Sequence, residues 1–209
     1  MIYLSDDYLN KYIDVFGYIF ARGIEEEYSL PYIEKVVAYS SFVDELEKSN
    51  ITTIAFSSSE KIYHDLFPLH DNSGFIYNPY DQFGWMGNVY IHLFLKYEIT
   101  FELLFIIIPL KKALSLYKLY HEMDYSQIYS LFDELMGHSY LDAILKNKNI
   151  SSMELSRRSG VSFPTINALR YKQRDISKLE AKLLFKLAKS LNVKITTLLP
   201  SLDLEKQIL

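Results

Sequence analysis

Chemistry in this chain has to come from histidines, carboxylates, hydroxyls and basic side chains, because its 209 residues include no cysteine. His64, His70, His92, His121 and His138 lack the tight helical spacing that places two imidazoles on one face, so no metal site is expected. No phosphate-cradling glycine loop, dinucleotide fingerprint or metalloprotease motif occurs, and Ser57 to Ser59 have no adjacent His-Asp arrangement to activate a hydroxyl. The chain therefore reads as a non-enzyme that needs no cofactor. Its informative chemistry is charge: from His138 onward there are 13 Lys+Arg against 6 Asp+Glu, a surplus of +7. The 137 residues before it hold 9 against 20, a balance of −11, so the overall −4 conceals an acidic part joined to a basic part. That split points to a nucleic-acid-binding segment attached to something with another task. The aromatics divide the same way, with 28 of 32 ahead of His138.

The elements that position these residues follow from periodicity and punctuation. A helix is predicted from Asp6 to about Arg22, with Leu9, Tyr12, Ile13, Phe16, Ile19 and Phe20 on one broad face. A second runs from Pro31, preceded by Ser29, through Leu46. Ile51 to Phe56 is a short β-rich run, and Ser57-Ser58-Ser59-Glu60 supplies the cap for a helix reaching Phe67. Pro68 to Gly87 carries turn residues throughout and reads as an irregular loop, followed by a helix from Asn88 to about Lys96. Periodicity cannot decide whether Ile99 to Ile108 is a buried strand or a helix; its β-branched end and Pro109 favour a strand, with a helix from Pro109 to about Glu122. Ser126 to Met136 is one more helix, and Gly137 is the best domain boundary. The first twenty residues lack a secretory signal pattern, and the run Leu103 to Ile108 falls far short of the roughly 18 residues of a membrane span, so a cytoplasmic protein without membrane contact is expected.

Beyond Gly137 the pattern sharpens. Tyr140 to Lys148 is a helix with Leu141, Ile144 and Leu145 inward, and Ser151 or Ser152 caps another that runs to Ser159, with Glu154 available to complete a capping box. Gly160 ends that helix, Val161 plugs the turn, and Ser162 caps a third helix with Pro164 in its first turn. Two short helices three or four residues apart, joined through a glycine, form a helix-turn-helix unit. Leu155, Val161, Ile166 and Leu169 fall where the two must pack, and small Ser156 lets them approach.

The run Ile150-Ser151-Ser152-Met153-Glu154-Leu155-Ser156-Arg157-Arg158-Ser159-Gly160-Val161-Ser162-Phe163-Pro164-Thr165-Ile166, with Leu184, Leu187 to Val193 and Leu198-Leu199 after it, resembles the phage-repressor and Cro-like (XRE-type) helix-turn-helix family. The resemblance covers about 60 of the 209 residues. It implies that the helix opening at Ser162 lies in the DNA major groove and presents Phe163, Pro164, Thr165, Asn167 and Ala168, with Asn167 able to read a base edge and Phe163 and Ala168 able to touch thymine methyl groups. It also implies a phosphate contact at Ser152, and backbone contacts from Tyr171, Lys172 and Arg174 in the following loop. The sequence departs from the family where an acidic residue and, two positions on, a glycine are usual: here stand Arg170 and Lys172, and the connection to the next helix is about three residues longer.

Together these readings give a mainly α protein: an acidic, aromatic-rich domain over 1–137, helical with room for a small buried sheet, a five-helix helix-turn-helix domain over 138–200, and a tail over 201–209. The expected function is a sequence-specific regulator of transcription, a repressor that binds double-stranded DNA as a homodimer. The acidic domain is expected to bind a protein, as in an antitoxin that neutralises a basic toxin and represses its own operon, with a domain sensing a small ligand as the alternative. Tyr77, Tyr80, Phe83 and Trp85 in the aromatic segment are the candidate partner-binding residues, against the plainer reading of a loop folded onto the core.

Overall fold

The computed structural model describes residues 5–48, 52–67 and 75–199. Nine helices precede Gly137 among the described residues: α1 Asp6–Glu25, α2 Leu30–Ala38, α3 Ser41–Glu47, α4 Thr52–Phe56, α5 Ser59–Leu66, α6 Gln82–Tyr97, α7 Phe101–Ile107, α8 Leu110–Tyr120 and α9 Tyr125–Met136. Four follow: α10 Tyr140–Asn147, α11 Ser152–Ser159, α12 Phe163–Arg170 and α13 Ala181–Leu191, with 3-10 turns at Ile176–Lys178 and Thr196–Leu198. The expected fifth helix of the C-terminal segment is thus a single 3-10 turn. Asn192, in left-handed backbone, ends α13, and the β-branched run Val193, Ile195, Thr196 and Thr197 extends no further helix.

The small sheet is not there: no described residue is in a strand. Ile99 to Ile108 forms α7, whose Phe101, Leu103, Leu104, Phe105 and Ile107 are all buried, so the helix is apolar nearly all round. It packs on α2, α6, α9 and α10, a central position that a lone strand could not hold without leaving its peptide groups unpaired. The Thr100 hydroxyl starts it by accepting the Leu103 N–H. The second expected strand is α4, which directs Ile54 into the core. Similarly, the helix predicted from Pro31 to Leu46 is two, because Ser40 turns the chain and its Oγ caps α3 at the Val43 amide. Helix α6 opens six residues before expectation, where Asp81 Oδ1 accepts the Phe83 and Gly84 amides.

Helices α1 and α6 form the axis of the acidic part and meet backbone to backbone. A Cβ added at Gly87 would lie 2.4 Å from the Ile13 carbonyl oxygen and 2.8 Å from the Gly17 nitrogen. Aromatic rings fill the space around this crossing: Phe16 stacks on Phe101 at 4.6 Å, and Phe20 meets Tyr90 and Phe105 edge-on.

The apolar core continues past Gly137 through Leu141, Ile144 and Leu145 of α10 into Leu155, Ile166 and Leu187. Polar bonds fix the same junction. Buried Glu102 of α7 accepts hydrogen bonds from the Tyr39 hydroxyl, the Lys194 amide and the Thr197 hydroxyl. Lys194 Nζ in turn donates to the Ala38 carbonyl at 2.8 Å and to Asp44 at 3.0 Å. Beside them Glu47 accepts the Phe101 amide at 2.8 Å, and burial pushes its carboxyl up to about 7 despite that bond and the nearby Lys194 charge. A carboxyl whose pKa rises on folding stabilises the fold in its protonated form. That stability is full below the unfolded value near 4.5 and is lost as pH rises through 7. Glu47→Gln keeps the acceptor for Phe101 without the charge, so denaturant titrations should find the variant more stable than wild type at pH 8, by at most about 3 kcal/mol, with the difference vanishing near pH 4.

Candidate nucleic-acid interface

The unit built by α11 and α12 is assembled from short-range devices. Ser151 Oγ caps α11 at the Glu154 amide, while the Glu154 carboxylate pairs forward with Arg158 and leaves the capping box half made. Gly160 closes α11 at φ 69°, ψ 12°; a Cβ there would touch nothing within 4 Å, so only the left-handed backbone requires glycine. Val161 is buried in the turn, and its carbonyl accepts the Ser156 hydroxyl at 2.7 Å. Ser162 then caps α12 by accepting the Thr165 amide, with Pro164 in the first turn where no N–H is missed. Leu155, Ile166 and Leu169 are buried between the helices, where the pattern puts them.

The opposite side of α12 faces solvent. Ser162, Phe163 and Pro164 are exposed, and Thr165, Asn167 and Ala168 are half-buried along the same helix. Tyr171, Lys172 and Arg174 are exposed in the loop that follows, as are Arg157 and Arg158 on α11. Lys172 takes left-handed backbone at φ 56°, so the turn for which the family uses glycine is made here by a lysine, at a cost of about 1 kcal/mol in backbone strain. The longer connection to α13 is ordered by Asp175, which accepts the Ser177 amide and hydroxyl and caps the 3-10 turn at Ile176–Lys178.

Ser152 departs from the expected phosphate contact. It is 4% exposed, and its hydroxyl accepts a hydrogen bond from Arg170 Nη1 at 3.2 Å. Arg170, which in the sequence is only a departure from the family pattern, is a structural tie. Its Nε donates to Asp142 at 2.8 Å and its carbonyl accepts the Ser139 hydroxyl at 2.8 Å, so the end of α12 is tied to the start of α10 at two points. Lys146 holds the other Asp142 oxygen at 2.8 Å, and the His138 amide donates to it as well. Asp142 is wholly buried. Burial alone would raise its pKa, but the hydrogen bonds from Lys146, Arg170 and the His138 amide outweigh it and hold the carboxyl below the ordinary value. The signal in the sequence was an aspartate amid the inward residues Leu141, Ala143, Ile144 and Leu145, a place where a charge needs a partner.

Residues 140–200 match the family of Cro/C1-type HTH DNA-binding domains. The chain carries a Cro/C1-type domain. The match spans less than a third of the 209 residues and leaves the acidic part outside it. Against curated proteins and solved structures, nothing matches the chain significantly. The Cro/C1-type domain thus coincides with the segment of positive charge, and the outer face of its third helix is solvent-facing.

The aromatic segment of the acidic part is folded largely onto the protein. Tyr77 packs edge-on against Tyr18, Trp85 against Tyr117, and Phe83 is half-buried on the core, whereas Tyr80 and Ile76 stand in solvent at 92% and 89% exposure. Among the described residues, no helix is long and apolar enough to cross a membrane.

Two substitutions separate the supports of the Cro/C1-type domain. Asp142→Ala strands the Arg170 and Lys146 charges and should lower stability in urea by about 3 kcal/mol or more. Lys172→Gly relieves the left-handed strain and should raise stability by up to about 1 kcal/mol while weakening DNA binding in a gel-shift assay.

Proposed function

We propose that this protein is a transcriptional repressor that binds double-stranded DNA by placing α12 in the major groove. The observation that carries the reading is the solvent-facing side of α12, with Ser162, Phe163 and Pro164 exposed and Thr165, Asn167 and Ala168 half-buried, in a Cro/C1-type domain with exposed cations beside it. The capped N-terminus of α12 would approach the base edges, where Asn167 offers both a donor and an acceptor and Phe163 an apolar edge for a thymine methyl group. Lys172, Arg174 and Tyr171 would lie along the phosphates and set the register. With few long polar side chains on the reading face, sequence preference would draw in part on DNA shape. A homodimer would present two α12 helices about 34 Å apart, and its operator would be a near-palindrome.

The two terms are separable by experiment. Lys172→Ala with Arg174→Ala should weaken binding to every duplex and flatten the log-log salt dependence by about 2, the loss of two phosphate contacts. Asn167→Ala should leave that slope unchanged and relax preference at one operator position in a selection from random duplexes. Wild-type behaviour of both variants would overturn the groove assignment.

For the acidic domain over 1–137 the proposal is binding of a basic protein, of the antitoxin kind. It rests on the charge of −11 and on the exposed apolar residues Ile76 and Tyr80. A small basic protein encoded beside this gene should then co-purify in fixed ratio, and Tyr80→Ala should reduce its retention.

A further inference from the structure

A pit of about 320 Å³ opens beside the loop that carries Lys172 and Arg174. Its walls come from the start of α10, the end of α12 and both 3-10 turns, and they are largely apolar: Leu141, Leu169 and Leu198 are buried in its floor and Ile176 is half-buried at its side. The volume lies at the lower end of the range for small-ligand sites. Lys172 and Arg174 also line it, and both are exposed cations. One carboxylate, Asp175, shares the lining, but its Oδ1 is engaged by the Ser177 amide and hydroxyl, which hold its pKa below the ordinary value. An apolar floor under a net cationic mouth suits one class of small molecule, an anion carrying a short hydrocarbon body. A neutral hydrocarbon would leave the cations unpaired, and an alkyl amine would be repelled by them.

We propose that this pit binds a short-chain aliphatic carboxylate, and that the bound carboxylate competes with DNA phosphates for Lys172 and Arg174. The competition rests on the reading of those two residues as phosphate contacts given above; the binding site itself does not. Two anions drawing on the same two cations are negatively coupled, and the coupling is reciprocal: DNA must weaken the carboxylate by the factor by which the carboxylate weakens DNA. The pit also lies next to the join with the acidic part of the molecule. Leu198 in its floor follows Thr197, whose hydroxyl donates to Glu102 of α7, so a ligand there would press on the turn that joins the two halves.

The test uses the full chain, octanoate as probe, octylamine as the charge-reversed control, and a 30-base-pair duplex of mixed sequence at low salt. Calorimetry without DNA should show saturable binding of octanoate at one site per chain and none of octylamine. Saturating octanoate should weaken the duplex by about tenfold. Ile176→Trp crowds the pit and leaves both cations in the sequence; it should retain duplex binding while losing both the octanoate isotherm and the octanoate effect. Thermal melting checks that this variant is folded, and Ile176→Ser, which replaces the apolar wall by a smaller polar side chain, should weaken octanoate in the same direction. Absence of a saturable isotherm, an isotherm indifferent to both Ile176 variants, or equal binding of octylamine would overturn the site. Octanoate binding that leaves duplex affinity unchanged would overturn the competition. If the wild-type chain binds no duplex at all, the repressor reading fails while the calorimetry still decides the site.

Discussion

The Asp142 carboxylate, buried at the start of α10 and shared between Arg170 and Lys146, holds α12 in place. An unpaired charge at that depth would be intolerable, and here each oxygen has a cation at 2.8 Å, with the His138 amide as a further donor. Because Arg170 is the last residue of α12, the same bond that neutralises Asp142 fixes where that helix ends. The Ser139 hydroxyl on the Arg170 carbonyl and the Arg170 bond to Ser152 then set its rotation relative to α10 and α11. The apolar contacts of Leu155, Ile166 and Leu169 are non-directional; these polar bonds select one arrangement from those the apolar contacts alone would allow.

The clamp also accounts for the departure from the family at positions 170 and 172. With Arg170 turned inward to Asp142, the chain after α12 must reverse at once, and it does so through left-handed backbone at Lys172. A glycine would take that conformation at less cost, but it would carry no charge. The lysine keeps a cation at the edge of the exposed face at the cost of local strain. Ser152 shows the converse. A hydroxyl at the start of a helix is suited to a phosphate, yet here it is inside, serving the arginine that orients the helix next to it.

What the sequence disclosed and what it hid divide by range. Ser151, Gly160, Ser162 and Pro164 act within three or four residues, so capping and turn rules placed α11 and α12 correctly from residue types alone. The charge split located the same segment independently. Hidden were the features settled by distant partners. Asp142 and Arg170 are 28 residues apart, and nothing local announces their pairing. Residues 101–107 and 52–56 are short apolar or β-branched runs whose periodicity suits either state, and they are helices because their neighbours are helices, with no adjacent strand to share a ladder. The inward fold of Tyr77, Phe83 and Trp85 likewise depends on rings from α1 and α8 that the local pattern could not supply.

The join between the halves constrains how any signal could pass from the acidic part to α12. Glu102, on the central helix of the acidic part, holds the Lys194 amide and the Thr197 hydroxyl just beyond α13, while α10 lies directly on α7. The Cro/C1-type domain is therefore seated at both its first helix and its last turn, and neither end swings on a free linker. A partner or ligand that moved α7 would displace α10, and α10 carries Asp142. Any such displacement would reach the Arg170 bond and hence the end of α12 through contiguous packed elements rather than through a hinge. Helix α12 and the acidic half are in that sense coupled through one carboxylate on each side, Glu102 at the seat and Asp142 at the clamp.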